Sequence, residues 1–239
     1  MPKHGKKYQA ASKLVNPDKE YTLDEAVGLL KQTAYTKFDS TVELHLKMGI
    51  DPKQADQLVR GVVSLPNGTG KKVRIAAFAE GEGAQLAQEA GVDIVGGDDL
   101  IKKVSEGFTD FDVAIAVPQI MGKVGRLGKV LGPRGLMPSP KAGTIVPPQD
   151  LPRLIKELRG GRVEFRVDKT ATMHIGCGKI SFSEQQIKDN LRSVIDAIAH
   201  ARPAAVKGQF IKSMAVAATM GPGIRLDVNQ VIQTKAAAE

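Results

Sequence analysis

KVRIAAFAEGEGAQLAQEAGVDIVGGDDLIKKVSEGFTDFDVAIAVP, residues 72–118, is the stretch on which the organisation of this chain turns. KVRIAAFAE is a continuous apolar run, GEGAQLAQEAG a small-residue helix, DIVG a short strand, DDLIKKVSEG a second helix and FDVAIAVP another strand. Strands that are apolar without alternation are covered on both faces, as in a parallel sheet flanked by helices. A Gly/Pro-rich segment follows to about Pro148, and DLPRLIKELRG returns to helix through Leu151, Leu154, Ile155 and Leu158. The middle of the chain therefore reads as an α/β unit of its own.

On either side the texture is different. TVELHLKM (41–48) puts Val42, Leu44, Leu46 and Met48 on one face and Thr41, Glu43, His45 and Lys47 on the other, which is a half-buried strand. VRGVVSLP supplies a second strand before the turn signal PNGTGK. Beyond Gly160 the same style returns: RVEFRV aligns Val163, Phe165 and Val167, KTATMHIGCGKISF reads as a strand interrupted at Gly176, and FIKSMAVAATMG and IRLDV are the last strands. Two helices open on capping boxes, Thr22 with Glu25 and Ser183 with Gln186. Apolar stripes follow each, Leu23, Ala26, Val27 and Leu30 in the first and Ile187, Leu191, Val194, Ile195 and Ile198 in the second. Lys3, His4, Lys6, Lys7 and Lys13, with no acid among the first fifteen residues, read as a mobile basic arm or a solvated terminus, so structure is expected from Thr22. The expected fold class is α/β with α+β: a discontinuous domain, 1–67 and 160–239, interrupted by an inserted domain, 68–159. Two crossings, near Gly68 and Gly160, limit twisting and permit hinge bending.

The 239 residues carry 34 Lys and Arg against 26 Asp and Glu, a net charge of +8 that favours polyanionic partners. Aromatics make up 4% and Trp is absent, so there are few faces on which unpaired bases could stack. No apolar run approaches the roughly 20 residues of a membrane span, and MPKHGKKYQ is not followed by the apolar region of a secretory signal. A cytosolic location without membrane partners is expected. The single cysteine, Cys177, makes no internal disulfide and reads as an inert thiol.

Convergent catalytic groups are scarce. No Gly-x-Ser-x-Gly elbow, His-Glu-x-x-His helix or paired cysteine motif occurs, and His4, His45, His174 and His200 are scattered in a way that suits individual structural or exposed roles better than a metal site. GEGAQL follows a strand and opens a helix as a phosphate-binding turn does, yet Leu86 replaces the third glycine. Neither GTGKK nor GRLGKV completes a Walker pattern. A nucleotide-dependent enzyme using the middle unit stays open only as the alternative, because an α/β architecture is no evidence of catalysis. No cofactor or metal is expected.

MGKVGRLGKVLGPRGLMPSPKAGT (121–144) is the more informative segment. No acid lies between Asp112 and Asp150, while Lys123, Arg126, Lys129, Arg134 and Lys141 sit among closely spaced glycines. Such a loop brings cations and bare backbone amides to phosphate oxygens, although a glycine-rich connection with ordinary surface charges has the same composition. Pro133, Pro138 and Pro140 restrain it. Two smaller constellations flank strands of the outer domain: Thr36, Lys37, Phe38 and Thr41, and Ser213 with Thr219, Met220, Gly221 and Pro222. Phe38 alone reads as core and Met220 as packing filler. Brought together, the two groups would form a compact surface of hydroxyls, backbone groups and apolar contacts suited to the shallow minor groove of folded RNA.

MPKHGK, KFDSTVELH, DQLVRGVVSLPNGTGK, GPRGLMPSPKAGT, GRVEFRVDKT and TMGP, in this order and across nearly the whole chain, resemble the bacterial type of the large-subunit ribosomal protein L-one family. The resemblance implies a first domain of split β-α-β type (ferredoxin/RRM-like) made from both chain ends, with a Rossmann-like insert. It implies binding to the folded stalk of 23S rRNA in the large ribosomal subunit near the tRNA exit site, help with release of deacylated tRNA, and repression of translation through the protein's own operon mRNA. Carried onto matching positions, the RNA contacts would be Lys37, Phe38, Thr41, Ser213, Thr219, Met220 and Gly221, with Lys169 and Thr170 of VDKT, and secondary contacts would come from the GPRG loop region. Two departures, the RLGKV spacing before GPRG and the final VIQTKAAAE, lie outside these motifs.

Overall fold

The computed structural model describes residues 5–233. In chain order it contains α1 (Lys6–Ser12), α2 (Leu23–Thr33), β1 (Thr41–Met48), β2 (Arg60–Ser64), β3 (Ile75–Phe78), α3 (Glu82–Glu89), β4 (Ile94–Gly96), α4 (Asp98–Ser105) and β5 (Val113–Ala116). There follow α5 (Met121–Val124), α6 (Gly128–Leu131), α7 (Leu151–Arg159), β6 (Arg162–Arg166), β7 (Thr172–Lys179), α8 (Glu184–His200), β8 (Ile211–Ala218), β9 (Ile224–Leu226) and α9 (Val228–Gln233). Among the described residues the result is a mixed α/β arrangement with three sheets. Contacts divide it into two compact units, one taking the chain up to Gly70 and again from Gly161, the other Lys71–Gly160. Among the described residues no helix is long and apolar enough to cross a membrane.

In the discontinuous unit the alternation of TVELHLKM becomes the burial pattern of β1, with Val42, Leu44, Leu46 and Met48 inside. β1 lies within an antiparallel sheet of order β7-β1-β8-β9, while β2 and β6 form a separate antiparallel ribbon. α2 and α8 pack on the sheet and on each other. Ala26, Val27 and Leu30 of α2 and Ile187, Leu191, Val194, Ile195 and Ile198 of α8 meet the apolar face of β1 in one core. Both capping boxes form: Thr22 accepts from the Glu25 amide and Ser183 from the Gln186 amide, with the reciprocal bonds present. Such caps each stabilise a helix by about 1 kcal/mol.

Two local expectations need correction. The segment before Thr22 is not simply an arm, because Lys6–Ser12 is helical, Ala11 is buried and Val15 joins the core. Its short apolar stripe is masked by the lysines around it; Lys3 and His4 lie outside the described residues, as does VIQTKAAAE from residue 234. The strand around Gly176 is not interrupted either. β7 runs through, and its register with β1 shifts between Val42↔Gly178 and Glu43↔Gly176, a bulge that accommodates Cys177.

A buried amide fastens this region. Asn190 of α8 accepts from the Asn67 amide at 3.0 Å and donates through Nδ2 to the carbonyls of Gly68 (2.9 Å) and Cys177 (2.8 Å). Where the chain leaves this unit and returns to it, the two segments touch. A Cβ on Gly161, whose φ is +97°, would stand 2.4 Å from Gly68 Cα, so only glycine fits.

The second unit has a parallel sheet of order β4-β3-β5. Ile75 and Ala77 of β3 face a cluster with Leu151, Leu154, Ile155 and Leu158 of α7, and Ala76 and Phe78 face one with Leu100 and Val104 of α4. Burial on both faces is why these strands are apolar at every position. The Gly/Pro-rich segment is only partly a loop. From Pro118 to Leu131 it is a succession of short helical turns, with Ile120, Val124, Leu127 and Leu131 buried at helical spacing. Glycines at 122 and 125 occupy exposed positions between them, which hides the period from a reading based on composition.

Candidate nucleic-acid interface

Because side chains alternate along a strand, β1 turns Thr41, Glu43, His45 and Lys47 away from the core. The same parity places Thr172 and His174 of β7, Ser213, Ala215 and Ala217 of β8, and Arg225 of β9 outside the core. The face of the sheet opposite the helices is therefore polar along β1 and β7 and lined by small residues along β8.

At one end of β1 the two sequence constellations meet. The Thr219 amide donates to the Thr41 carbonyl (2.9 Å), the Thr41 amide donates to Thr219 Oγ1 (3.2 Å), and that hydroxyl has acceptors in Thr41 O (3.2 Å) and Glu43 Oε1 (3.3 Å). Lys179 Nζ donates to Thr41 Oγ1 at 3.0 Å, and Asp39 accepts from both the amide and the hydroxyl of Ser181. Lys37 is exposed, and the Phe38 carbonyl accepts from Thr36 Oγ1 at 3.0 Å. Phe38 is 54% exposed and Met220 66% exposed, so neither is the core or filler residue that its type suggested. The turn carrying Met220 is closed by the Gly221 amide donating to Ala218 O at 2.7 Å, and Tyr35 Oη donates to the Met220 carbonyl at 2.6 Å.

Ser213 does not join this end. It pairs with Lys47, six residues along β8 from Thr219 and so roughly 20 Å away at about 3.4 Å per residue. There it belongs to a second group built on the β6–β7 turn. Asp168 accepts from the amides of Thr170 and Thr172 and from Thr170 Oγ1, and these bonds, the Thr172 amide foremost, hold its carboxyl below the usual carboxylate range. Lys47 Nζ donates to the Thr170 carbonyl at 2.6 Å, and Lys169 and Thr170 are exposed at the tip. A shallow concavity of about 410 Å³ beside it is lined by Glu20, His45, Lys47, Thr172, Ser213 and Arg225, among others. Between the two ends, His45 Nδ1 lies 2.8 Å from His174 Nδ1, so one ring carries the shared proton and the other accepts it. Burial first, then His174, holds His45 below the usual imidazole value, while Glu43 opposes the shift.

The expected site was thus one cluster, and the structure distributes it over two ends of a strand pair. Tyr35, Glu43, His45, Lys47, His174, Lys179 and Arg225 were not singled out as site residues. The polar parity of TVELHLKM and of TMHIG was the available signal for Glu43, His45, Lys47 and His174; nothing in the sequence marks Tyr35 or Lys179.

In the second unit the five cations differ in availability. Lys123 Nζ is engaged by Asp98 (2.8 Å) and Glu80 (3.4 Å), acids from outside the acid-free segment, and the Asp98 bond leads in raising its pKa. Arg134 bonds Thr109 Oγ1 and is exposed, as are Arg126 and Lys129. Lys141 lies in a 3₁₀ turn, and its side chain is outside the described ones. Gly81 precedes α3 as a phosphate turn would, but Glu82 occupies the first turn, where a carboxylate opposes a bound phosphate.

A model of the ribosomal protein L1p/L10e family matches residues 30–222. The large ribosomal subunit protein uL1 of Chloroflexus aggregans is 54% identical over 236 residues, covering 98% of this chain and 100% of that protein. The uL1 protein of Thermomicrobium roseum is 55% identical over 234 residues, covering 98% and 97%. That of Lactobacillus delbrueckii subsp. bulgaricus is 53% identical over 227 residues, covering 95% and 97%.

Proposed function

Since this chain belongs to the ribosomal protein L1p/L10e family, we propose that it is a constituent of the large ribosomal subunit that binds the folded stalk of 23S rRNA near the tRNA exit site. It is not an enzyme; its relatives carry the name of a ribosomal protein. The discontinuous unit serves as the split β-α-β RNA-binding domain, and the inserted unit is a Rossmann-like domain making secondary contacts. One observation carries the reading: Thr41 and Thr219, 178 residues apart, bond each other, and the turns next to them carry Phe38 and Met220 with their side chains exposed.

Hydroxyls, backbone groups and exposed apolar side chains suit riboses in a wide, shallow RNA minor groove, where shape rather than base stacking is read. Thr41, Thr219 and Gly221 would contact sugar and backbone, Phe38 and Met220 would pack on riboses, and Lys37 and Lys169 would meet phosphates. Ser213 and Thr170 would make a second set of contacts farther along the same duplex. Arg126, Lys129 and Arg134 would add attraction without discrimination. The same surface would take a like-shaped structure in the protein's own operon mRNA and so repress translation. On the ribosome, its hold on the stalk would assist departure of deacylated tRNA.

Filter binding to the stalk RNA and to a random RNA of equal length tests this. Thr219→Val and Met220→Ala should weaken the stalk complex by more than the random one. Lys129→Gln or Arg134→Gln should instead lower the slope of log affinity against log salt by about one each. Equal affinity of the unaltered protein for both RNAs would refute the reading.

A further inference from the structure

Met220 has φ +66°, and Ala171 is the other non-glycine residue with positive φ among the described residues. It stands third in the turn closed by Gly221 N and Ala218 O, a place that with positive φ favours glycine or asparagine. Its exposed side chain has little packing to compel this conformation. The restraint comes from 185 residues earlier in the chain, where Tyr35 Oη donates to the Met220 carbonyl at 2.6 Å. Tyr35 itself is half-buried just beyond the C-terminus of α2, and the next residue, Thr36, fixes the turn that carries Lys37 and Phe38.

We infer that Tyr35 is a positioning residue for RNA recognition: its hydroxyl locks the Met220 turn in the left-handed form and so aims the exposed Met220 side chain. This rests on the RNA-binding reading above. The Thr41–Thr219 bonds hold the turn's entrance but do not reach the Met220 carbonyl. Without the tyrosine hydroxyl the turn relaxes towards the negative-φ form that methionine prefers, and the side chain is re-aimed. Affinity then falls with the fraction of molecules that keep the competent turn.

The test uses the full chain with Tyr35→Phe, Met220→Gly and the double variant, measured on the stalk RNA and on a scrambled hairpin of equal length. Y35F should weaken stalk binding about three- to tenfold, the range of one ordinary hydrogen bond, mainly through slower association, and leave scrambled RNA unchanged. In the free protein the amide resonances of Met220 and Gly221 should move while those of Leu44 and Leu46 stay. In the M220G background, where there is no side chain to aim and no penalty for positive φ, Y35F should lose most of its effect. Unchanged stalk affinity in Y35F, with M220G impaired, would overturn the inference and leave the RNA reading standing. A Y35F effect of equal size in both backgrounds would also overturn it, since that marks direct contact between Tyr35 and RNA. Failure of the unaltered protein to prefer stalk RNA would instead sink the RNA reading itself.

Discussion

Replacing Asn190 by alanine removes one side chain that joins three parts of the discontinuous unit. Two of its partners, the Asn67 amide and the Gly68 carbonyl, are half-exposed and can turn to water, so each lost bond costs about 1 kcal/mol. The third, the Cys177 carbonyl, is buried in the β7 bulge, and stranding it costs about 1–3 kcal/mol. Alanine's better helix propensity returns about 0.5 kcal/mol. The net expectation is a loss of about 3 kcal/mol. Asn190→Asp keeps the size and the acceptor for Asn67 but, ionised, aims a carboxylate at two carbonyl oxygens. At pH 7 it should be the worse variant. Its folded pKa is raised above the unfolded value of about 3.9, so its stability relative to the parent falls as pH rises through about 4 and recovers below it. Urea unfolding followed by far-UV circular dichroism measures both variants. Hydrogen exchange at residues 65–68 and 175–178 assigns the loss to this unit, since two compact units need not unfold together. An N190A loss below about 1 kcal/mol, or N190D as stable as the parent at pH 7, would refute the reasoning.

Further outcomes follow from single side chains. Among the described residues Ser40 Oγ is buried with no hydrogen-bond partner, so Ser40→Ala should be neutral or stabilising by up to about 1 kcal/mol in the same urea assay; a clear loss would mean the hydroxyl has a role in the fold. His45 is held below its usual value, so as pH falls below about 6.5 the unfolded chain takes up the proton first and folded stability declines. Thermal scans between about pH 7 and pH 5 should show a flatter decline for His45→Gln, and parallel curves would contradict the assignment. Burial pushes the Cys177 thiol up to about 12, so a thiol reagent at neutral pH should label it only on unfolding; native labelling at the denatured rate would count against its placement.

The elements most legible in the sequence were those whose signal is local. The parity of TVELHLKM, both capping boxes and the unbroken apolarity of β3 and β5 each follow from residues within one element, and each is found where its pattern placed it. What escaped depends on which elements meet. Lys123 reads as one of five cations in an acid-free loop, yet the fold brings Asp98 and Glu80 to it. Ser213 was grouped with Thr219 because both border β8, although a strand separates its ends by its full length. Glycines disguised the helical turns after Pro118, and lysines disguised α1. Tyr35 reaches Met220 across 185 residues, a distance over which neither period nor spacing carries information.

The order of the antiparallel sheet also has a consequence in time. β1 is flanked by β7 and β8, which follow it in the sequence only after the whole of Lys71–Gly160. On an elongating chain the inserted unit can close while β1 still waits with both edges and its apolar face unpaired. At about 5–20 residues per second, the roughly 170 residues from the end of β1 to the end of β8 take on the order of 10–30 s to make. The surface that joins Thr41 to Thr219 therefore exists only once β8 has been made, and a nascent chain stalled before β8 would display β1 as an open edge, prone to pairing with a neighbour.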